Sequence, residues 1–300
     1  MAAHWTKVIG RVSFVNCDPL YHALPDSWSV LPAPPAWLTG HLLRRDCLTA
    51  PIPTADYAAH HDELQLLKGL GILSDGPVGS VLLFSTRPLK RIRDVALPSD
   101  SSTSSRLLMH LLATRDIDPR VHQMGPDLDE MLSRSDAALL IGDRALDEAE
   151  RNPELVAMDL GADWKAVTGS PMVFGVFAAR KDSPAARLEE VARVLREQLR
   201  GFTDDPNFRS AVLESSAERS GFSLERVSNY FDEVRFKVGE AEVEGLNKFL
   251  REVCDMQDEI QWFGWLLLPT TDGASPLLDS MSVVNAIVRK WRRGVLRFIP

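Results

Sequence analysis

Four apolar runs of strand length set the terms on which this chain folds: residues 79–85 (GSVLLFS), 94–97 (DVAL), 135–141 (SDAALLI) and 171–179 (PMVFGVFAA). The last is long and apolar enough to be a strand covered on both faces. Upstream, 7–15 mixes β-branched and polar residues as a strand does and runs into the loop Asn16-Cys17-Asp18-Pro19. A brief buried strand is predicted at 48–52, closed by Pro53. Helix-like segments fall between these runs, at 38–45, at 55–61 behind the candidate cap Thr54, at 106–113 and at 144–150. Strands alternating with helices predict an α/β fold with mainly parallel sheets.

Beyond Arg180 the pattern turns helical. Leu188, Val191, Ala192, Leu195 and Leu199 keep one stripe, Leu224, Val227, Phe231 and Val234 another, and Phe249, Leu250, Val253 and Cys254 a third, so 187–265 reads as a helical C-terminal section. A Pro/Gly/Thr/Ser stretch at 269–276 breaks the pattern, and 269–300 reads as an appendage carrying Arg289, Lys290, Arg292, Arg293 and Arg297. A solvated terminal helix docked by Val283, Val284, Ile287 and Val288 is the commoner outcome for such a tail, contact with a membrane surface or partner the rarer one. Three hundred residues at 45% hydrophobic content exceed the usual size of one domain and predict two lobes.

Charge and motif content remove several functional classes. A net charge of −8 argues against a general nucleic-acid binder. The N-terminus MAAHWTKVIGRVSFVN has no apolar core of signal-peptide length, and no run reaches the ~18–20 apolar residues of a membrane helix, which predicts a cytoplasmic protein without membrane insertion. Cys17, Cys47 and Cys254 are odd in number and widely spaced, and are read as reduced thiols. His60 and His61 are adjacent, with no ligand set at familiar spacing, so no metal is expected. Gly69-x-Gly71 lacks the rest of a dinucleotide fingerprint, and neither a P-loop nor a Gly-x-Ser-x-Gly elbow occurs.

What remains is polar residues at strand ends. Six of the seven residues in 99–105 carry hydroxyls, just ahead of a helix whose Leu107, Leu108, Leu111 and Leu112 share a face. A helix N-terminus with added hydroxyls cradles a carboxylate or phosphate, although Ser and Thr are also ordinary caps. Asn16, Thr54 and Asp143 follow other strands, and Ser80 begins one. Open α/β sheets bind ligands beyond strand carboxyl ends. Each of the four also has a plain structural explanation, as an Asx turn for Asn16, a helix cap for Thr54 and Asp143, and a small core residue for Ser80.

Seven ordered segments carry a family resemblance: Arg11–Pro19 (RVSFVNCDP), 50–57 (APIPTADY), 79–85, 101–104 (SSTS), 136–143 (DAALLIGD), 159–164 (DLGADW) and 168–178 (TGSPMVFGVFA). Together they resemble the chorismate dehydratases of the futalosine route to menaquinone, over roughly residues 8 to 265. Cys17 and Ser170 stand where that family more often has Thr and Leu, and the tail beyond about 268 has no counterpart there. The resemblance implies a type II periplasmic-binding-protein-like fold of two lobes joined by two crossovers, for which GSVLLFS and PMVFGVFAA are the candidates. Lobe 1 would then hold 1–84 and 176–268, and lobe 2 would hold 85–175.

The implied reaction is loss of water from chorismate, a dicarboxylate, to give 3-[(1-carboxyvinyl)oxy]benzoate without metal or organic cofactor. Asn16 and Ser80 would orient the reacting centre, and Thr54, Ser101, Thr103, Ser104 and Asp143 would bind substrate. No general base stands out, because Asp143 as a helix cap would be ionised and weakly basic. The substrate's own enolpyruvyl carboxylate is the alternative base. Three rival readings share the fold: a plain organic-anion binding protein, the sister 1,4-dihydroxy-6-naphthoate synthase, and an effector-sensing module. The sister enzyme's opening motif, Ser-x-Cys-Pro-Asn-Asp-Thr, differs from Asn16-Cys-Asp-Pro19, and no helix-turn-helix precedes the first strand. No oligomeric state follows from the residues.

Overall fold

The computed structural model describes residues 4–264, which excludes the 269–300 appendage. The chain divides into two units, Met1–Phe263 and Gly264–Pro300. Its first pass lays down β1 (Val8–Val12), α1 (Asp18–Tyr21), β2 (Ser29–Ala33), α2 (Pro35–Leu43), β3 (Thr49–Pro53), α3 (Thr54–Ala59) and β4 (Leu64–Ser74). The second adds β5 (Val81–Ser85), β6 (Asp94–Pro98), α4 (Ser102–Ala113), β7 (Arg120–Met124) and α5 (Leu128–Arg134), then β8 (Ala137–Ile141), α6 (Gly142–Arg151), β9 (Val156–Asp159) and α7 (Leu160–Thr168). The third returns as β10 (Met172–Arg180), α8 (Ala185–Asp204), α9 (Pro206–Ser220), α10 (Leu224–Glu233), β11 (Arg235–Lys237), α11 (Glu240–Glu252) and β12 (Trp262–Phe263).

The first and third passes build one sheet, in the order β11-β4-β10-β3-β1-β2 with β12 also on β4. The middle pass alone builds the other, β7-β6-β8-β5-β9. Two sheets joined by two crossovers make the two lobes, and the third pass supplies the helical C-terminal section.

The crossovers lie outside the runs expected to form them. GSVLLFS is a core strand of the second sheet, where β5 pairs with β8 and β9, and PMVFGVFAA is a core strand of the first, where β10 pairs with β3 and β4. All five residues of β5 are buried, as are eight of the nine in β10, a demand that an interlobe link does not make. The second sheet therefore begins at 81 rather than 85, and the first resumes at 172 rather than 176. The links themselves are 75–80 and 160–171. Asp159 ties them together: its carboxylate accepts the Val78 and Gly79 N–H groups at 3.0 and 2.8 Å and caps α7 through Ala162 N–H at 3.0 Å. Trp164, fully buried, donates to Pro171 O at 3.2 Å.

Nor are the sheets mainly parallel. β1 runs parallel to β2 and β3, and β6 to β7 and β8, but β5 and β10 run antiparallel to both of their neighbours. Each is the first strand after a crossover. A chain returning from the other lobe enters its sheet from the opposite end, which reverses its direction relative to strands wound by local β-α-β connections. Among the described residues no helix is long and apolar enough to cross a membrane.

Candidate functional site

A cavity of about 70 Å³ opens between the sheets. Its walls are largely apolar, with Phe14, Ile72 and Phe174 from the first lobe and Ile141 from the second. Asn16, Ser80, Ser101, Thr103, Ser104 and Tyr230 place polar groups among them. None of the lining residues is Asp, Glu, Lys, Arg or His.

The second lobe contributes a helix N-terminus. Most of the hydroxyl-rich stretch is the first turn of α4 rather than a loop before it, because Ser101 takes the extended N-cap conformation and Ser102 is already helical. Ser101 makes no side-chain capping bond and no acidic residue occupies the first turn, so the unpaired N–H groups keep their attraction for an anion. The other hydroxyls divide their work. Ser102 donates to Asp56 Oδ1 at 2.5 Å, and Thr39 donates to the other oxygen of that carboxylate at 2.6 Å. Thr103 Oγ1 accepts the Ala55 N–H at 3.0 Å, bridging α3 and α4 across the cleft while keeping its own proton for a ligand.

The first lobe contributes Asn16, on the tight turn Val15–Cys17 after β1. Its Oδ1 is buried without a hydrogen-bond partner, so it forms no Asx turn and is left for a donor from a ligand. The turn is anchored on both sides. Val15 N–H donates to Asp143 Oδ1 at 3.0 Å, and Asp18 is paired with Arg11 and, at 2.8 Å, with Arg219. Cys17 beside it is an inert core thiol, its pKa pushed up to about 12 by burial.

Ser80 ends the first crossover. Its carbonyl accepts Gly142 N–H at 2.7 Å, and its Oγ lies 3.0 Å from Tyr230 OH. Gly142 has φ +63°, and a Cβ there would fall 2.4 to 2.6 Å from the Phe14 ring, so the absence of a side chain lets a first-lobe aromatic pack against the α6 N-terminus.

Five of the seven residues singled out from sequence, Asn16, Ser80, Ser101, Thr103 and Ser104, thus share one cavity. Thr54 and Asp143 do not line it. Thr54 is fully buried and its hydroxyl donates to Val173 O at 2.7 Å, pinning α3 to β10, while Pro53 occupies the N-cap expected for it. Asp143 is no cap either, because α6 already begins at Gly142 and the carboxylate is spent on Val15 across the cleft. Its pKa is raised, chiefly by burial, against the expectation of an ordinary ionised cap. Tyr230 was missed because it lies within the apolar stripe of α10, one residue from Phe231. Among the described residues no cluster of three or more His, Cys, Asp or Glu is placed to hold a metal ion.

The profile of a family described as menaquinone biosynthesis matches residues 8–254. A chorismate dehydratase from Thermus thermophilus is 32% identical over 258 residues, covering 81% of this chain and 93% of that protein. In fold, the chain is similar to a structural-genomics protein from Archaeoglobus fulgidus, with a TM-score of 0.68 and 18% identity over 84% of this chain and 98% of that one. It is also similar to the periplasmic aliphatic sulphonate binding protein of Escherichia coli, with a TM-score of 0.56 and 16% identity over 90% and 97% of the two chains. The sheet topology and these likenesses make the fold periplasmic-binding-protein-like.

Proposed function

The chain belongs to the menaquinone biosynthesis family, and we propose that it acts there as a chorismate dehydratase, a hydro-lyase converting chorismate to 3-[(1-carboxyvinyl)oxy]benzoate and water. The observation that carries this reading is the composition of the cavity. A helix N-terminus with free hydroxyls faces an unpartnered amide oxygen, and no charged side chain lines the space between. That set suits a small dicarboxylate bearing a hydroxyl group. The reading carries a cytoplasmic location with it.

Chemically the step is an elimination. The ring carbon bearing the enolpyruvyl ether loses its proton, the neighbouring carbon loses hydroxide, and the ring becomes aromatic. The C–H is conjugated through a ring double bond to the ring carboxylate, so negative charge developing on proton loss spreads onto that carboxylate. Ser101, Thr103, Ser104 and the first N–H groups of α4 are assigned to hold it, where their dipoles stabilise the charge. Asn16 and Ser80 then address the reacting centre from the first lobe and the crossover, orienting the departing hydroxyl.

A base is needed, and the lining residues supply none. Tyr230 is their one titratable side chain, and burial raises its pKa further above the ordinary phenol value. The substrate carries its own candidate. Its enolpyruvyl carboxylate reaches the adjacent C–H through a six-membered arrangement, and a dry apolar wall strengthens a carboxylate as a base by withholding solvent. The protein's part is then to fix that conformer and hold the leaving group.

Incubating the purified protein with chorismate and following ultraviolet absorbance tests the reading. Appearance of the aromatic enol ether is expected, while an unchanged spectrum on a protein that still binds chorismate would make it an organic-anion binder.

A further inference from the structure

Tyr230 stands in the cavity wall with no part yet in the reaction. It arrives from α10, and aromatic packing fixes its ring: the centroid lies 5.8 Å from that of Phe231 in a stacked arrangement, and Phe231 meets Phe202 edge-on at 5.5 Å. Its hydroxyl and that of Ser80, 3.0 Å apart and both buried, share one hydrogen bond that only one of their two protons can occupy. A phenol is the more acidic O–H and an alkyl hydroxyl the better acceptor, so the tyrosine donates. Burial keeps the phenol protonated, which makes the donor permanent across neutral pH.

The Ser80 proton is therefore the one left over. We propose that Tyr230 is a positioning residue that, by donating to Ser80 Oγ, turns the serine O–H into the cleft toward the substrate's departing hydroxyl. Donation into the serine oxygen also polarises its O–H and strengthens the outgoing bond. A hydroxyl both accepts and donates, and the cavity offers a partner for each capacity. Ser80 O–H serves its oxygen, and Asn16 Oδ1, buried without a partner, accepts its proton. No proton leaves Tyr230 in this scheme. The proposal rests on the chorismate dehydratase reading, because the hydroxyl it invokes is that of chorismate.

The test begins with the wild-type protein and chorismate, where absence of turnover refutes that reading and the proposal with it. Given turnover, Tyr230→Phe removes one oxygen and keeps the stacked ring. Loss of one bond from a neutral donor is expected to lower kcat about tenfold and leave KM within about twofold. In a Ser80→Ala background the same change is expected to have no further effect, since Tyr230 acts only through Ser80. Wild-type kcat in Tyr230→Phe, a rise in KM alone, or an undiminished loss in the Ser80→Ala background overturns the proposal. A second probe, 3,5-difluorotyrosine at position 230, covers the case in which the phenylalanine variant folds poorly. It keeps ring and donor but ionises at lower pH, so kcat is expected to gain an alkaline limb that the wild type lacks. A pH profile identical to the wild type's overturns the proposal.

Discussion

Gly142→Ala puts a single methyl where the two lobes meet, and its cost follows from two separable terms. The backbone at 142 has φ +63°, a conformation that costs a residue with a Cβ roughly 1–2 kcal/mol. The new Cβ would also lie 2.4, 2.6 and 2.6 Å from three atoms of the Phe14 ring, which must move. Overpacking of that kind costs about 1–3 kcal/mol. The sum, about 2–5 kcal/mol, corresponds for a unit of this size to a fall in Tm of roughly 4–20 °C. Function should fail together with stability. Phe14 lies two residues before Asn16, and the Gly142 N–H holds the Ser80 carbonyl at 2.7 Å, so a displaced ring disturbs both groups assigned to the reacting centre. Urea unfolding and thermal melting of Gly142→Ala, Phe14→Leu and the double variant separate the terms. The smaller side chain should absorb the clash, leaving Gly142→Ala with only the backbone cost of about 1–2 kcal/mol in the Phe14→Leu background. A melting temperature for Gly142→Ala within 1 °C of wild type, or an undiminished cost in the Phe14→Leu background, refutes the reasoning; the 1 °C margin is roughly a quarter of the smallest expected shift.

Three further outcomes are expected. Asn16→Ala, which removes the unpartnered amide oxygen from the cavity, should lower kcat by about tenfold or more with unaltered melting, and wild-type turnover would end its assigned role. Thr103→Val keeps the shape of threonine but strands the buried Ala55 N–H, so urea unfolding should show a loss of about 1–3 kcal/mol, and a wild-type midpoint would count against that bridge. Asp143→Asn has two readouts. Burial raises the Asp143 pKa in the folded protein, so the stability this group confers is complete below its unfolded value and lost as pH rises through the folded one. An amide escapes that loss, and the stability of the variant relative to wild type should grow between pH 4 and pH 7, where a constant difference would contradict the burial argument. The variant should also retain turnover, and its loss with chorismate affinity intact would replace the substrate's carboxylate as the base.

The strands that sequence reasoning found and those it missed differ in burial. β5 and β8 are buried at every residue and β10 at all but one, so each reads as an uninterrupted apolar run. β7, with four of five residues exposed, and β2, which contains Pro32, are sheet edges, where polar residues and proline are tolerated and the apolar signal vanishes. The longest strand was missed for another reason. β4 (LQLLKGLGILS) carries Gly69 at φ +83°, within a strand whose pairing with β10 and β11 shifts register, so the glycines that resembled part of a nucleotide motif instead mark a bulged strand. Strand direction was misread because alternation of strand and helix encodes local winding. β5 and β10 owe their reversed direction to the crossovers, while β11, at the sheet edge, also runs against β4 without one.

The site follows the same division between local and long-range information. Asn16 and the Ser101–Ser104 turn were legible because each marks a strand end or helix start within a few residues of itself. Thr54 and Asp143 have equally good local signatures, yet their side chains are drawn off by partners 119 and 128 residues away, Val173 O and Val15 N–H. Tyr230 is the converse case. Its neighbours make it one more member of an apolar helical stripe, and only the approach of Ser80, 150 residues distant, turns its hydroxyl into part of a polar pair. Position at a strand end therefore selects residues able to reach the cleft, but hydrogen bonds to partners distant in sequence decide which of them remain free for a ligand. Asn16 Oδ1 is free by this criterion and Asp143 Oδ1 is not, although both residues follow strands. The groups best placed to act on substrate are those whose bonding capacity the fold leaves unused.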